Sequence, residues 1–316
     1  MDHNTIAIIW DFDKTLTPGY MQDPIFDKYG IDAAEFWTEV DSLTREYAKQ
    51  GIHVNPETIY LNHMITCTQQ GIFKGLDNKA LKELGKKIPF YPGVPDVFKK
   101  LKDIIDTSDK YKRFGIHVEH YIVSTGFTAM IEGSAISDYV EGIWGCEFIE
   151  KPILSRLSGV DPGYPAEISQ MGYIVDNTSK TRAIFEINKG ANVFDYIDVN
   201  SRMDDDARRV PFSNMIYIAD GPSDVPAFSI LRQHGGHTFA IYPKGDTGAF
   251  KQVDALRKDD RIDMYAEADY TEGSAAFMWL AETAKDIAEE IFNASDKEIR
   301  TKVKNPPRHL NTEGDD

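Results

Sequence analysis

Two aspartates one residue apart, Asp11 and Asp13, stand directly after a short apolar run in the segment Asp11-Phe12-Asp13-Lys14-Thr15-Leu16-Thr17. While the chain stays extended, the alternation of side chains points both carboxylates the same way. Two such charges repel, and keeping both ionised is costly unless a cation lies between them. A hard divalent ion liganded by oxygen, such as Mg2+, resolves the repulsion. Taken alone, the segment reads equally well as a turn or helix cap built from aspartates. Other groups share its placement. Asp220-Gly221-Pro222-Ser223-Asp224 follows a second apolar run, and its acids could complete a metal site. Ser124-Thr125-Gly126 follows a third, ending at Val123, where a hydroxyl and main-chain N–H groups could grip a phosphate oxygen. Lys180 precedes residues 181–189, where Ala183, Ile184 and Ile187 share one helix face, and it can bring positive charge to a phosphoryl group.

The elements that must position these groups are strands. Residues 5–10 and 215–219 are too short and apolar for helices and are bounded by polar residues, so they read as buried strands, like the run ending at Val123. In an open parallel sheet covered by helices on both faces, ligands bind outside the carboxyl ends of strands, and three such ends can converge on one site. The expected fold is therefore α/β, with a doubly wound parallel sheet. Between the first two strands, Phe36, Val40, Leu43 and Tyr47 recur on one helix face, and residues 59–70 and 79–87 have helical composition. An insertion of this size is better explained as a small second domain than as a loop. It is placed at residues 18–88, with the core at 1–17 and 89–304. Pro92-Gly93-Val94-Pro95 then opens a helix carrying Val97, Phe98, Leu101 and Ile104. Residues 144–177, with Lys151-Pro152, Asp161-Pro162-Gly163 and Tyr164-Pro165, read as short strands and turns of unassigned role. Residues 274–292 read as an amphipathic helix and 305–316 as a disordered tail.

Composition narrows the partners. The 316 residues include 51 acidic and 35 basic ones, and a net charge of -16 repels anionic polymers, which excludes broad nucleic-acid binding. Residues 1–10 lack a basic stretch leading into a long apolar one, and no segment is long and apolar enough for a bilayer, so a soluble, cytoplasmic protein with no membrane partner is expected. Cys67 and Cys146 stand far apart and read as buried free thiols. The triplets at Asn177 and Asn293 fit a glycosylation pattern that has no use without export. His234 and His237 lack a third nearby ligand for zinc and read as loop residues. His53 and His63, and the aromatics Trp37, Tyr47, Tyr60 and Phe73, read as packed or solvated groups of the helical insertion.

Across residues 6–228 the sequence resembles the haloacid dehalogenase-like hydrolases, whose four motifs occur here in order. Ile8-Ile9-Trp10-Asp11-Phe12-Asp13-Lys14-Thr15-Leu16-Thr17 is similar to the first, Val123-Ser124-Thr125-Gly126-Phe127 to the second, Lys180 to the third, and Ile218-Ala219-Asp220-Gly221-Pro222-Ser223-Asp224 to the fourth. The resemblance implies a Rossmann-like core and a cap after the first motif, as in the phosphoserine phosphatase-like branch. It also implies Asp11 as nucleophile and Asp13 as acid and base. Two departures stand out. Lys14 occupies a position where the family often has Gly or Ser, and residues 200–209 lengthen the path from Lys180 to Asp220 as a surface insertion. Lys151 is the alternative third-motif lysine, disfavoured because no helix follows it directly. Asp13-Lys14-Thr15 also resembles the acceptor segment of ion-pumping ATPases, but the register against the first strand favours Asp11.

The implied activity is Mg2+-dependent hydrolysis of a small phosphorylated metabolite through an aspartyl-phosphate. The metal falls to Asp11, the main-chain carbonyl of Asp13, and Asp220. Phosphate falls to Ser124, Thr125 and Lys180, and Asp224 orients Lys180. The rival readings are a phosphotransferase or phosphomutase using the same intermediate, and a binding module without turnover.

Overall fold

Every residue of the first strand, β1 (Thr5–Trp10), is buried. A strand sealed on both faces needs layers on both sides, and its run of Ile, Ala and Trp is what a central parallel strand requires. The computed structural model describes residues 3–157, 163 and 165–303. Asp161, Pro162, Tyr164 and the expected tail, 305–316, lie outside the described residues.

After β1 come four helices, α1 (Asp23–Tyr29), α2 (Ala33–Lys49), α3 (Ile59–Gln69) and α4 (Asn78–Gly85); the last three lie where the sequence places helices, and α1 is an addition. Asp32 and Asp77 cap α2 and α4 by accepting main-chain N–H bonds, which satisfies otherwise orphaned donors. The chain then runs through α5 (Asp96–Asp106), the single turn α6 (Asp109–Lys112), β2 (His117–Phe127), α7 (Thr128–Gly133), β3 (Gly142–Ile149) and β4 (Gln170–Tyr173). It ends with α8 (Lys180–Lys189), β5 (Met215–Ala219), α9 (Val225–Gln233), β6 (His237–Tyr242), α10 (Thr247–Lys258), β7 (Met264–Glu267) and α11 (Ala275–Val303).

The strands form one sheet in the order β4-β3-β2-β1-β5-β6-β7, parallel except for the antiparallel edge pair β3–β4. Alternate side chains of β1 enter opposite layers. Ile6, Ile8 and Trp10 pack with α5 and α11, whereas Ala7 and Ile9 pack with α8 and α9. Strand order reverses at β1, between β2 and β5, so the carboxyl ends of these three strands surround a crevice. No helix among the described residues is long and apolar enough to cross a membrane.

The helices between β1 and β2 share a continuous apolar cluster with one core layer, through Phe26, Phe36, Leu61, Met64 and Phe73. Helix α4 lies against α7 backbone to backbone. A Cβ on Gly85 would come within 2.1 Å of the Met130 carbonyl oxygen, and one on Gly133 within 1.8 Å of that of Lys82. Only glycine permits that approach.

Two expectations need correction. Strand β2 does not end at Val123 but continues to Phe127, with a register shift against β3 between those residues. The bulge arises where the chain turns its polar groups toward the crevice. The segment 144–177 does hold short strands, as expected, in β3 and β4, and these pair as an antiparallel edge hairpin whose long connection hid the pairing. Helix α11 reaches Val303 rather than ending near residue 292, because its polar last turns carry no apolar periodicity.

Candidate active site

Asp11 continues the ladder of β1 by one bond, donating its N–H to the carbonyl of Ile218 at 2.9 Å. The chain then folds into a tight loop, with Leu16 N–H to Phe12 O at 2.9 Å and Lys14 N–H to Gly19 O at 3.3 Å. Lys14 takes a left-handed φ of 59°, which explains why glycine suits this position. The hydroxyl of Tyr270 donates to Thr15 O at 2.7 Å and fixes the loop from below.

The loop docks onto the end of β2 through Met21. Met21 donates its N–H to Asp13 Oδ1 at 2.8 Å, and its thioether fills the space where a Gly126 side chain would stand, 2.2 Å from that hypothetical Cβ. Asp13 is thus oriented by a residue that also contacts the segment 124–127. Ser124 is buried, its Oγ accepting the Gly126 N–H at 3.0 Å, and Thr125 lines the crevice. The Tyr60 hydroxyl donates to Thr125 O at 2.6 Å and ties α3 to the same loop.

Lys180 opens α8. Asp176 places it by accepting the N–H groups of Thr178 and Ser179 in a tight turn. The ammonium, only 1% exposed, donates to Asp11 Oδ1 at 2.8 Å and Asp224 Oδ1 at 2.7 Å. The other oxygen of Asp11 accepts from Thr15 Oγ1 at 2.8 Å. Asp224 also accepts from Tyr217 OH at 2.6 Å on Oδ1 and from Ser223 Oγ at 2.7 Å on Oδ2. All four oxygens of Asp11 and Asp224 are held by donors, so their rotamers are fixed before any ligand arrives. Burial lowers the proton affinity of Lys180, but Asp11 and Asp224 raise it more, and the lysine is held charged.

Asp11, Asp220 and Asp224 each present an oxygen within 4.8 Å of the others. Burial, and then the charges of Asp11 and Asp224, push Asp220 up to about 7. Burial, and then Asp11, push Asp13 well above the usual carboxylate range. Burial likewise raises Asp11, with Lys180 opposing it. This oxygen-only, electron-rich donor set fits a hard divalent cation such as Mg2+, which would offset the like charges that one lysine leaves uncompensated. The Asp13 side chain stands outside the three-carboxylate group.

The crevice is a cavity of about 480 Å³. Asp11, Asp13, Thr125, Lys180 and Asp220 line it from the sheet side, and Tyr20, Trp37, Asp41 and Tyr60 line it from the helical segment. Two aromatics read from the sequence as packed groups of the insertion, Trp37 and Tyr60, therefore face the cavity, while Phe73 is core. Helical periodicity marked their buried face without distinguishing a core from a cleft. Lys151 is exposed and is not part of the cavity wall. His63 packs on Phe36 and Cys67, His234 packs at a tilt on Phe212, and no histidine joins a metal-type cluster among the described residues.

No protein-family model matches the sequence. An uncharacterized protein of Borreliella burgdorferi is 40% identical over 285 residues, which span 88% of this chain and 96% of that protein. A HAD family hydrolase from Salmonella enterica serovar Typhi superposes with a TM-score of 0.51 at 14% identity, over 88% of this chain and 70% of that one. The chain has the fold of that HAD hydrolase. A substrate-bound phosphoserine phosphatase matches with a TM-score of 0.47 at 16% identity, over 85% of this chain and 96% of that one. At the level of sequence the chain belongs to one family with the B. burgdorferi protein.

Proposed function

We propose that the chain is a Mg2+-dependent phosphatase that hydrolyses small phosphomonoesters through an aspartyl-phosphate on Asp11. One observation carries the reading: a buried, doubly hydrogen-bonded carboxylate beside a buried lysine, facing a cavity that also holds a second carboxyl of raised proton affinity. A structural ion pair would need neither the cavity nor Asp13.

Asp11 attacks phosphorus through a carboxylate oxygen, a P–O bond to Asp11 forms, and the ester P–O bond breaks. Asp13, starting protonated, gives its proton to the departing alkoxide. The resulting Asp13 carboxylate then takes a proton from water, whose oxygen attacks phosphorus and returns Asp11 as a carboxylate with release of phosphate. Lys180 stabilises the negative charge on the transferring group, and Asp224 positions Lys180. Ser124 and Thr125, at the end of β2, hold the phosphoryl oxygens. Asp11, Asp220 and the Asp13 main-chain carbonyl would hold Mg2+, which would supply charge neutralisation at the phosphoryl group.

Residues 18–88 act as a cap whose aromatic wall confines the leaving group, and a cavity of this size suits a small molecule. The free thiols Cys67 and Cys146 agree with a reducing, cytoplasmic setting. The test is phosphate release from a panel of small phosphomonoesters with and without Mg2+. Release that needs Mg2+ and is abolished in Asp11→Asn supports the proposal. Phosphate appearing on added alcohol acceptors instead of in water would make the chain a phosphotransferase, and no consumption of any ester would leave a binding module.

A further inference from the structure

The wall of the cavity supplied by the segment from Tyr20 to Tyr60 holds polar groups without partners. Gln22 is 2% exposed, yet among the described residues its Oε1 accepts no hydrogen bond, and the buried Nε1 of Trp37 donates none. Both residues line the cavity. A buried polar atom left unpaired costs free energy, so such atoms in a cleft mark where a ligand supplies the missing partner. Trp37 lies between two other rings, with centroid distances of 5.3 Å to Tyr20 and 5.5 Å to Tyr60. One turn further along α2, on the same face, Asp41 reaches the same cavity and makes no side-chain hydrogen bond or ion pair among the described residues.

The other charges nearby are engaged. Glu57 accepts from the N–H and the side-chain amide of Asn177. Lys14 donates to Tyr20 OH at 2.6 Å and lies 4.2 Å from the centroid of that ring, and its charge is drawn to Asp220 and Asp13 at the phosphoryl end. A leaving group bearing a second anion would meet Asp41 with no free cation among the described residues lining the cavity to offset it. A cation there finds a carboxylate, the rings of Trp37 and Tyr60 in the cavity wall, and the bare oxygen of Gln22.

We infer that Gln22, Trp37, Asp41 and Tyr60 form a subsite for a primary ammonium, so that the substrate is the phosphate monoester of a small amino alcohol. The ammonium pairs with Asp41, packs on Trp37 and donates one hydrogen to Gln22 Oε1. The indole N–H of Trp37 serves an oxygen of the ester. The phosphate end of this assignment rests on the phosphatase reading above; the ammonium end does not.

Calorimetric titration of the full chain carrying Asp11→Asn, with Mg2+ present, compares phosphoethanolamine with propyl phosphate, which has the same length and no amine. The amine ester should bind about tenfold tighter or more, as a desolvated cation over aromatic rings implies. Adding the exposed substitution Asp41→Asn should remove most of that preference and leave propyl phosphate unaffected. Equal binding of the two esters, or a preference that survives Asp41→Asn, overturns the subsite. Turnover of 4-nitrophenyl phosphate by the unsubstituted chain is measured in parallel. Turnover without an amine preference sinks this inference alone, and an amine preference without turnover sinks the phosphatase reading alone.

Discussion

Lys180→Met keeps most of the stem volume of the lysine and removes its charge, which separates electrostatics from packing. The ammonium is 1% exposed and bonded to Asp11 and Asp224 at 2.8 and 2.7 Å, so its loss leaves two buried carboxylates facing each other. Breaking a buried ion pair by deleting one partner costs about 3–5 kcal/mol. Asp11 and Asp224 can relieve that cost by taking up protons, but a protonated Asp11 is no nucleophile. Removing a preorganised electrostatic donor costs about 2.7–4 kcal/mol in the transition state, or 10² to 10³ in kcat. The expected result is a fall in kcat for 4-nitrophenyl phosphate at saturating Mg2+ of about that size, together with a lower urea midpoint. Lys151→Ala, at an exposed site outside the cavity wall, should stay near native in both. A Lys180→Met variant within a few-fold of the unsubstituted chain in rate and stability would refute the role given to this lysine.

Burial and its two acidic neighbours push Asp220 up to about 7, so without metal the folded chain binds a proton there that the unfolded chain loses near 3.8. That term weakens folding as pH rises through this window, and Mg2+ must displace the proton, so its apparent affinity should fall about tenfold per unit below pH 7; Mg2+ titrations at stepped pH would read this, and a flat profile would contradict it. Burial raises Glu119, but bonds from His117, Arg209 and Tyr121 outweigh it and bring it down to about 2. Its contribution is complete above 4.5 and lost as pH falls toward 2, so Glu119→Gln should remove about 2 kcal/mol at neutral pH, after allowance for screening, and flatten acid denaturation curves. Lys14→Gly relieves a left-handed φ and should raise stability by about 1 kcal/mol in thermal unfolding while lowering kcat/KM, since it removes a charge beside Asp13 and Asp220.

Much of this arrangement was legible in the sequence because the chemistry sits at strand ends. Apolar runs followed at once by Asp11, Ser124 and Asp220 identified three carboxyl-terminal strand edges, and the structure brings them to one crevice. Lys180 was readable from the helix that it opens. The bulge at the end of β2 was not, because it depends on pairing with β3 and on Met21 arriving from another segment. The edge hairpin was obscured by the span between its strands, since antiparallel pairing across a long connection leaves no local period. Trp37 and Tyr60 carry the same helical spacing as core residues. Their place on a cleft follows from how α2 and α3 meet the loop after β1.

The central claim is that Asp11 accepts the phosphoryl group, and rapid acid quench of the chain turning over a phosphomonoester with Mg2+ tests it most directly. Mass spectrometry of the digested protein should find the added phosphate on the peptide bearing Asp11, and fragmentation should assign it to that residue. The label should be absent in Asp11→Asn and should persist longer in Asp13→Asn, where water is activated poorly. Phosphate on Asp13, on Asp220 or on a residue outside this cavity would contradict the mechanism.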